Sequence, residues 1–264
     1  MGALGQMERT ETLRRLLAHL DGGGCPGGGP WHEWQIARIT GGRNNLLYRA
    51  TGSSGDLALK FTIDDARDRA GREYGSLSAL RQANLPIAPE PILLDRTSYT
   101  QPVMVQTWLG GEASATPPAT MAEWQSLLQH PALVHTIMPG NTEVALPYAT
   151  IVARDAEEGK ERVRQQMAHI PPAAQPPALR ALLQRFEAFR FPDWPKPPIT
   201  LCRLDNNATN FVRRPGLWAS VDWEYSGWGD PAFDVANLIT HVAYKDVSAL
   251  QWPAIVDAYN ELVD

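Results

Sequence analysis

The sequence of 264 residues contains little cysteine, little lysine and no long apolar run. Its two cysteines, Cys25 and Cys202, lie 177 positions apart, which excludes a disulfide framework and a paired-cysteine metal knuckle. No apolar run approaches the roughly 18–20 residues that a membrane-spanning helix needs, so we expect no membrane partner. The N-terminus lacks the basic and apolar segments of a signal peptide, and we therefore expect a cytoplasmic location.

Basic residues are outnumbered by acidic ones, and the formal net charge of −5 argues against a nucleic-acid partner. The charge is divided unevenly, with a net charge of +1 in residues 1–105 and −6 in residues 106–264. An acidic second half favours a cationic small-molecule partner, although an ordinary solvated acidic surface explains it equally well.

The hydrophobic fraction of 44% supports a sizeable core, and the residue patterns predict three segments. In residues 1–33, a helix with leucines at helical spacing ends in a flexible glycine-rich connector. In residues 34–109, one helical pattern (65–81) and five strand patterns (34–40, 45–51, 56–62, 92–96 and 103–108) predict a compact lobe with an antiparallel sheet. Residues 110–264 are predicted to be mainly helical. Their first helix begins at the capping box Thr120-x-x-Glu123 and is broken by Pro131, and an apolar stripe at 179–189 forms a second helix.

A glycine-rich segment separates the first two predicted strands. Gly41, Gly42, Asn44 and Asn45 lie between two strands rather than between a strand and a helix, which excludes a Rossmann fingerprint and a P-loop. Such a hairpin can bring backbone N–H groups close to phosphates. A plain turn is the commoner meaning of the same pattern.

Lys60 lies inside an apolar strand and is the only lysine in the first 159 residues. Antiparallel pairing places it opposite Leu47, near the glycine-rich segment. There its ammonium group could hold nucleotide phosphates, and Glu73 on the following helix could fix it by an ion pair. Alternatively, Lys60 is an edge-strand residue that reaches solvent, and Glu73 is an ordinary surface residue.

The strongest pattern follows the second cysteine. Asp205 and Asn210 lie five positions apart, and a hairpin with its turn at residues 214–216 follows them. Centring the turn between Pro215 and Gly216 places Asn210 about opposite Asp222, at a cross-strand separation of about 5 Å. An amide oxygen and a carboxylate at that spacing suit Mg²⁺, and Asp205 could act as a base or an orienting group. Turns and caps are the alternative, but they leave the charge of Asp222 without a partner.

These parts follow the order of the protein-kinase signature set. From about residue 34 to 243, the chain resembles the aminoglycoside phosphotransferase and choline kinase superfamily in particular. The resemblance is carried by GGRNNLLY (41–48), LK (59–60), RE (72–73), MVQTWLGGE (104–112), DNNATN (205–210), VDWE (221–224) and GDPAFDVA (229–236).

The resemblance implies an α+β fold of the bilobal protein-kinase-like type, with a small antiparallel-sheet N-lobe and a larger, mainly helical C-lobe. It implies that Asp205 accepts or orients the proton of an acceptor hydroxyl, and that Asn210 and Asp222 hold Mg²⁺. Asp230 and Asp234 would have structural roles. The ATP-binding residues that it implies are Gly41, Gly42, Asn44, Asn45, Lys60, Glu73 and, through backbone groups at the adenine, Val105, Gln106 and Thr107.

Two functions are therefore expected. The first is transfer of the γ-phosphoryl group of ATP, with Mg²⁺, to a hydroxyl of an aminoglycoside-like molecule, an amino alcohol or a sugar. A protein substrate is disfavoured because only eight positions separate Asp222 from Asp230, too few for a peptide-docking segment. The second is a catalytically impaired nucleotide-binding module with a regulatory role, because Arg203 and Leu204 replace the family's His-Gly before the catalytic aspartate.

Overall fold

The structure, a computed structural model, describes residues 3–40, 45–53, 55–192 and 197–263. The helices are α1 Ala3–Asp21, α2 Arg69–Gln82, α3 Met121–Val134, α4 Ala156–Ala168, α5 Pro177–Ala188, α6 Pro231–Thr240 and α7 Trp252–Val263. The strands are β1 Gly28–Trp31, β2 Trp34–Ile39, β3 Asn45–Thr51, β4 Leu57–Thr62, β5 Pro91–Asp95, β6 Val103–Thr107, β7 Glu112–Ala113, β8 Thr200–Cys202, β9 Phe211–Arg213, β10 Ala219–Ser220 and β11 Gly227–Gly229. Within the described ranges, no helix is long and apolar enough to cross a membrane.

The first six strands form one antiparallel sheet in the order β1-β2-β3-β4-β6-β5. Leu13, Leu16, Leu17 and Leu20 of α1 share an apolar cluster with Leu59, Phe61 and Val105, whereas the leucines of α2 share another with Met104. Because successive strand side chains point to opposite faces, the two helices cover opposite faces of the sheet. Every residue of β4 is consequently buried, and this strand lies between β3 and β6. Lys60 is therefore enclosed, and the solvent-reaching edge-strand alternative is wrong.

The five strands predicted for the small lobe are confirmed to within one residue at each end. Helix α2 begins at Arg69, four residues later than predicted, because the Asp68 side chain accepts a hydrogen bond from Gly71 N and caps the helix. The divisions of the chain after residues 33 and 109 stay predictions.

Residues 28–31 form strand β1, although residues 21–30 were predicted to be a flexible connector. They pair with β2 from Gly28 opposite Ala37 to Trp31 opposite Trp34. Gly28 has a φ of +105°, and a Cβ there would lie 2.7 Å from Ile36 O. Glycine therefore permits this close pairing. Composition alone indicated flexibility because the pairing partner is not visible in the segment itself.

Helix α3 begins with the predicted capping box, in which Thr120 and Glu123 exchange hydrogen bonds with each other's backbone. The predicted break at Pro131 is wrong, because the helix continues to Val134. Proline lacks an N–H donor, but its carbonyl still accepts a hydrogen bond from His135 N at 2.9 Å. Buried Leu127 on one side of the proline and Val134 on the other anchor both ends of this stretch.

Helix α4 was not predicted, whereas α5 lies where the apolar stripe indicated. The stripe does not form core: α5 buries none of its residues, and Leu182 is 60% exposed. The core of this half instead joins α3, α6 and α7 around Trp124, Leu127 and Tyr259. Two loops at residues 203–210 and 221–226 lie between the short strands β8 to β11. They contain the predicted site residues Asp205, Asn210 and Asp222.

Candidate active site

Lys60 connects the sheet with the second half of the chain. It pairs with Leu47, as the register argument predicted. Its Nζ lies 2.6 Å from Glu73 Oε2 and 3.0 Å from Asp222 Oδ1, and its side chain is 7% exposed. One buried ammonium group thus bridges a carboxylate of α2 and a carboxylate that follows β10.

Within this bridge, Lys60 and Asp222 favour each other's charged form, whereas the environment of Glu73 opposes its ionisation. Burial lowers the pKa of Lys60, but Asp222 and Glu73 outweigh it and raise the pKa above its ordinary value. Burial works against ionisation of Asp222, yet Lys60 lowers the pKa of that carboxyl below its ordinary value. Burial dominates at Glu73 and raises its pKa. The lysine and Asp222 therefore stay charged together.

Asp205 lies in the loop that follows β8 and is held by two donors. Asn210 Nδ2 donates to Asp205 Oδ2 at 2.8 Å, and Asn207 N donates to Asp205 Oδ1 at 3.2 Å. A short 3₁₀ turn, Ala208–Asn210, brings Asn210 back towards the aspartate. These contacts fix the orientation of the Asp205 carboxylate.

The hairpin has the register that a turn centred between Pro215 and Gly216 predicts, with Val212 opposite Ala219. The partner of Asn210 differs by one position from the predicted one, because Val221 N donates to Asn210 O at 2.9 Å. Asn210 therefore lies opposite Val221, next to Asp222. Asp222 has a φ of +64°, so the backbone turns out of the strand at this residue and its carboxylate meets Lys60.

The donor set fits a divalent cation such as Mg²⁺, which prefers oxygen ligands. Because Asn210 Nδ2 faces Asp205, its amide oxygen remains available on the other side of the amide. The Asp222 side chain is 34% exposed although it is bound to Lys60. Carboxylate and amide oxygens on adjacent hairpin positions are thus open to a ligand.

A second polar link, which sequence reasoning did not identify, joins the same segments. Arg69 Nη1 donates to Glu224 Oε1 at 2.6 Å, and Asn45 Nδ2 donates to Glu224 Oε2 at 3.1 Å. Both Arg69 and Glu224 have side chains that are 4% exposed. Glu224 was visible within the VDWE stretch, but Arg69 has no sequence signal, because its partner lies 155 positions away.

Arg203 replaces the histidine of the family pattern and is buried beside the same loops. Its Nη2 donates to Val221 O at 2.9 Å, and its guanidinium lies 4.8 Å from the ring centre of Phe211. Burial lowers its pKa, although Asp205 and Asp234 act in the opposite direction. Arg203 therefore ties the Asp205 loop to the strand that precedes Asp222.

The structural roles expected for Asp230 and Asp234 are confirmed. Asp230 caps α6 by accepting a hydrogen bond from Ala232 N at 2.8 Å. Asp234 accepts backbone N–H groups from Arg203 and Leu204 at 2.9 and 3.0 Å. It thereby fixes the backbone immediately before Asp205.

The predicted nucleotide contacts fall partly outside the described residues, which do not include Gly41, Gly42 and Asn44. The backbone of 105–107 lies within the sheet, because β6 pairs with β4 and β5. The Gln106 side-chain oxygen Oε1 is buried and has no hydrogen-bond partner among the described residues. Adenine binding by Val105, Gln106 and Thr107 stays a prediction.

Comparisons with known proteins bear on the family and the fold of the chain. A profile of the phosphotransferase enzyme family matches residues 35–263. No curated protein sequence matches the chain. A choline/ethanolamine kinase family protein from Mesorhizobium loti is similar in structure, with a TM-score of 0.61 and 22% identity over 86% of this chain and 69% of that one.

Two antibiotic-modifying enzymes also have similar structures. A macrolide 2′-phosphotransferase from Brachybacterium faecium has a TM-score of 0.59 and 20% identity over 86% of this chain and 77% of that one. A spectinomycin phosphotransferase, solved with ADP and spectinomycin, has a TM-score of 0.57 and 16% identity over 89% and 76% of the respective chains.

The antiparallel sheet, the helical second half and the lysine bridge define a protein-kinase-like fold. Since the family profile covers most of its length, the chain belongs to the phosphotransferase enzyme family. Membership in this family supports small-molecule phosphotransfer.

Proposed function

We propose that the protein transfers the γ-phosphoryl group of ATP to a hydroxyl group of a small molecule in the cytoplasm. The observation that carries this proposal is the bridge from Lys60 to Glu73 and Asp222, at 2.6 and 3.0 Å. It puts a charged ammonium group beside a carboxylate whose side chain is 34% exposed. Phosphoryl transfer needs this combination of a phosphate-binding cation and a metal-binding anion.

Lys60 would contact the phosphates of ATP, and Glu73 would hold its ammonium group in place. The buried carboxylate restricts the lysine to one orientation, so little conformational entropy remains to be lost when phosphates bind. Gln106 lies on the same sheet face as Lys60, two positions along β6 from Met104, the residue paired with Lys60. Its unpartnered Oε1 would accept a hydrogen bond from an amino group such as that of adenine.

Asn210 and Asp222 would hold Mg²⁺ through their side-chain oxygens. Bound there, the ion would neutralise phosphate charge that builds up during transfer. Asp222 supplies the full negative charge, and Asn210 supplies a neutral oxygen.

Asp205 would accept the proton of the acceptor hydroxyl. The hydroxyl oxygen attacks the γ-phosphorus, the bond to the β–γ bridging oxygen breaks, and ADP leaves with that oxygen. The hydrogen bonds from Asn207 N and Asn210 Nδ2 keep the Asp205 carboxylate pointed in one direction during this step. Positioning of this kind supplies much of the rate enhancement in phosphoryl transfer.

The acceptor would be a hydroxylated small molecule, and the net charge of −6 in residues 106–264 favours one that bears amines. Similar structures contain spectinomycin, kanamycin and gentamicin, which are candidates for this chain. The choline kinase neighbours add amino alcohols to the candidates.

A catalytically impaired nucleotide-binding module is the second candidate. Leu204 occupies the position of the family's glycine although its φ is +62°, a region that a bulky residue enters at a cost. This strain lies directly before Asp205, so a distorted loop that binds nucleotide without turnover is the physical alternative.

The test is ADP release from Mg·ATP in the presence of kanamycin, spectinomycin, choline, ethanolamine or glucose, each against a no-acceptor control. Acceptor-dependent ADP release supports the kinase. A thermal shift with Mg·ATP but not with ATP and a chelator, without ADP release across the panel, supports the impaired module. Absence of both signals contradicts the two nucleotide-based functions.

A further inference from the structure

Asp234 holds the backbone of the Asp205 loop, and its own carboxylate is bound by a residue outside that loop. It accepts the backbone N–H groups of Arg203 and Leu204, and the Asn206 side chain donates to its backbone carbonyl at 2.9 Å. Asp234 is 4% exposed. Any movement of its carboxylate would move the backbone on which Asp205 depends.

A buried chain of hydrogen bonds runs from Asp234 to the last helix. His135, which caps the end of α3, has Nε2 3.3 Å from Asp234 Oδ2 and Nδ1 2.6 Å from the hydroxyl of Tyr259 on α7. One arrangement of protons satisfies all three groups: the phenol donates to Nδ1, and Nε2–H donates to the carboxylate. His135 and Tyr259 are 6% and 7% exposed.

The same cluster contains Cys202, and ligand atoms of His135, Cys202 and Asp234 lie within 4.8 Å of one another. It is nonetheless a hydrogen-bond network rather than a metal centre. Both Asp234 oxygens already accept N–H groups. Burial also raises the pKa of Cys202, which works against the thiolate form that binds metals.

We propose that Tyr259 and His135 are positioning residues that hold the Asp205 loop in its active geometry through Asp234. Helix α7, far along the chain from the loop, thereby sets the orientation of the group that receives the acceptor proton. The catalytic part of this inference rests on the proposed phosphotransfer function, whereas the effect on loop rigidity does not.

The chain offers a matched control for removal of the Tyr259 hydroxyl. Tyr244 belongs to the same apolar cluster and is 1% exposed, but its hydroxyl has no hydrogen-bond partner among the described residues. Tyr259→Phe and Tyr244→Phe therefore each remove one buried hydroxyl, and only the first breaks the chain to Asp234.

Amide hydrogen exchange of the full-length protein, read by mass spectrometry over residues 203–210, tests the inference without any acceptor. We expect exchange in Tyr259→Phe to be about tenfold faster than in the wild type, and exchange in Tyr244→Phe to be unchanged. Exchange in β3 and β4 should be the same in all three proteins, which separates a local effect from general destabilisation. Equal loop exchange in the two variants would overturn the inference.

Variants of His135 give a second, graded test. His135→Gln keeps an amide donor that can reach Asp234, whereas His135→Leu keeps only volume, so loop exchange should rise more in the leucine variant. Once an acceptor has been identified, Tyr259→Phe should lower kcat about tenfold at an unchanged KM for ATP. If the wild type shows no turnover, the proposed function fails while loop exchange still decides this inference. Faster loop exchange in His135→Gln than in His135→Leu would contradict the positioning role of His135.

Discussion

At the scale of single residues, the candidate site depends on two positions with left-handed backbone. Leu204 and Asp222 have φ values of +62° and +64°. Leu204 immediately precedes Asp205, and Asp222 itself carries a predicted catalytic carboxylate. A non-glycine residue in this region costs roughly 1–2 kcal/mol and persists only where its surroundings hold it. Leu204 is held by burial beside Val152 and Cys202, and Asp222 is held by its ion pair with Lys60.

Substitution of Leu204 separates its backbone strain from its packing. Leu204→Ala should destabilise the protein by about 2–4 kcal/mol, because a buried side chain is lost while the strain remains. Leu204→Gly loses the same packing but relieves the strain, so it should be about 1 kcal/mol more stable than the alanine variant. Urea unfolding of both variants checks the order, and an alanine variant more stable than the glycine variant would contradict the left-handed backbone.

His130 should make stability sensitive to acid. It is buried with Nε2 2.9 Å from Ser220 Oγ, and burial, followed by the charge of Arg203, lowers its pKa to about 3. Between pH 6.5 and 3 the unfolded chain binds a proton there and the folded protein does not, so stability falls as the pH falls through this range. From pH 7 to 5, His130 alone should cost the folded state about 2 kcal/mol.

Urea unfolding at pH 7 and 5 measures this contribution. His130→Gln should lose less stability on acidification than the wild type does. His169→Gln, at an exposed position, should keep the wild-type pH dependence. Parallel pH dependence of the wild type and His130→Gln would show that His130 does not carry the effect.

The residues at the site differ in how far the sequence could reveal them. Lys60, Asp205 and Asn210 were readable because local spacing and strand register constrain them. The His135–Tyr259 contact spans 124 positions and joins the end of α3 to the interior of α7, so nothing in either segment signals it. Packing between distant elements decides such contacts, and a single sequence does not display it.

At the scale of elements, local sequence patterns predicted which helices and strands exist better than they predicted where those elements end or whether they are buried. Strands β2 to β6 have alternating or wholly apolar residue patterns, and these patterns predicted all five strands. Strand β1 is rich in glycine, and its pairing with β2 overrides its weak strand propensity. The apolar stripe of α5 predicted a helix but not its exposure, because the pattern records which face is apolar and not whether another element covers it.

Helix α3 should become more stable when its proline is replaced. Pro131 lies inside the helix and cannot donate the hydrogen bond that the turn before it would accept. Pro131→Ala supplies this donor, so we expect the free energy of unfolding to rise by about 1–2 kcal/mol, less than the full helix penalty because the unfolded chain also gains freedom. Thermal and urea unfolding give the value, and a lower stability would mean that the packing around His135 requires the proline.

At the scale of the whole molecule, buried and half-buried polar contacts link the sheet and α2 to the loop after β10. Among them are Lys60 with Asp222, Asn45 with Glu224, and Arg69 with Glu224. The two halves therefore meet at the groups proposed to bind phosphate and metal. The family pattern predicted the Lys60 side of this junction, whereas the Glu224 contacts depend on the three-dimensional arrangement.

Binding of Mg·ATP should stabilise the whole protein, by about 2.7 kcal/mol when the ligand is at a hundred times its dissociation constant. Lys60→Met should abolish this thermal shift, and Lys245→Met, at an exposed lysine, should keep it. The double variant Lys60→Met/Glu73→Gln avoids an unpaired buried carboxylate and should also lack the shift. A full shift in either Lys60 variant would exclude Lys60 from the nucleotide site.

The central claim is that Asp205 receives the proton of an acceptor hydroxyl during phosphoryl transfer. The most direct measurement is kcat for acceptor-dependent ADP release by Asp205→Asn, with the exposed Asp246→Asn as the control. The Asp205 variant should lose roughly 10²–10⁴-fold in kcat and keep its Mg·ATP thermal shift, while the control retains wild-type turnover. Turnover by Asp205→Asn at the wild-type rate would contradict the claim.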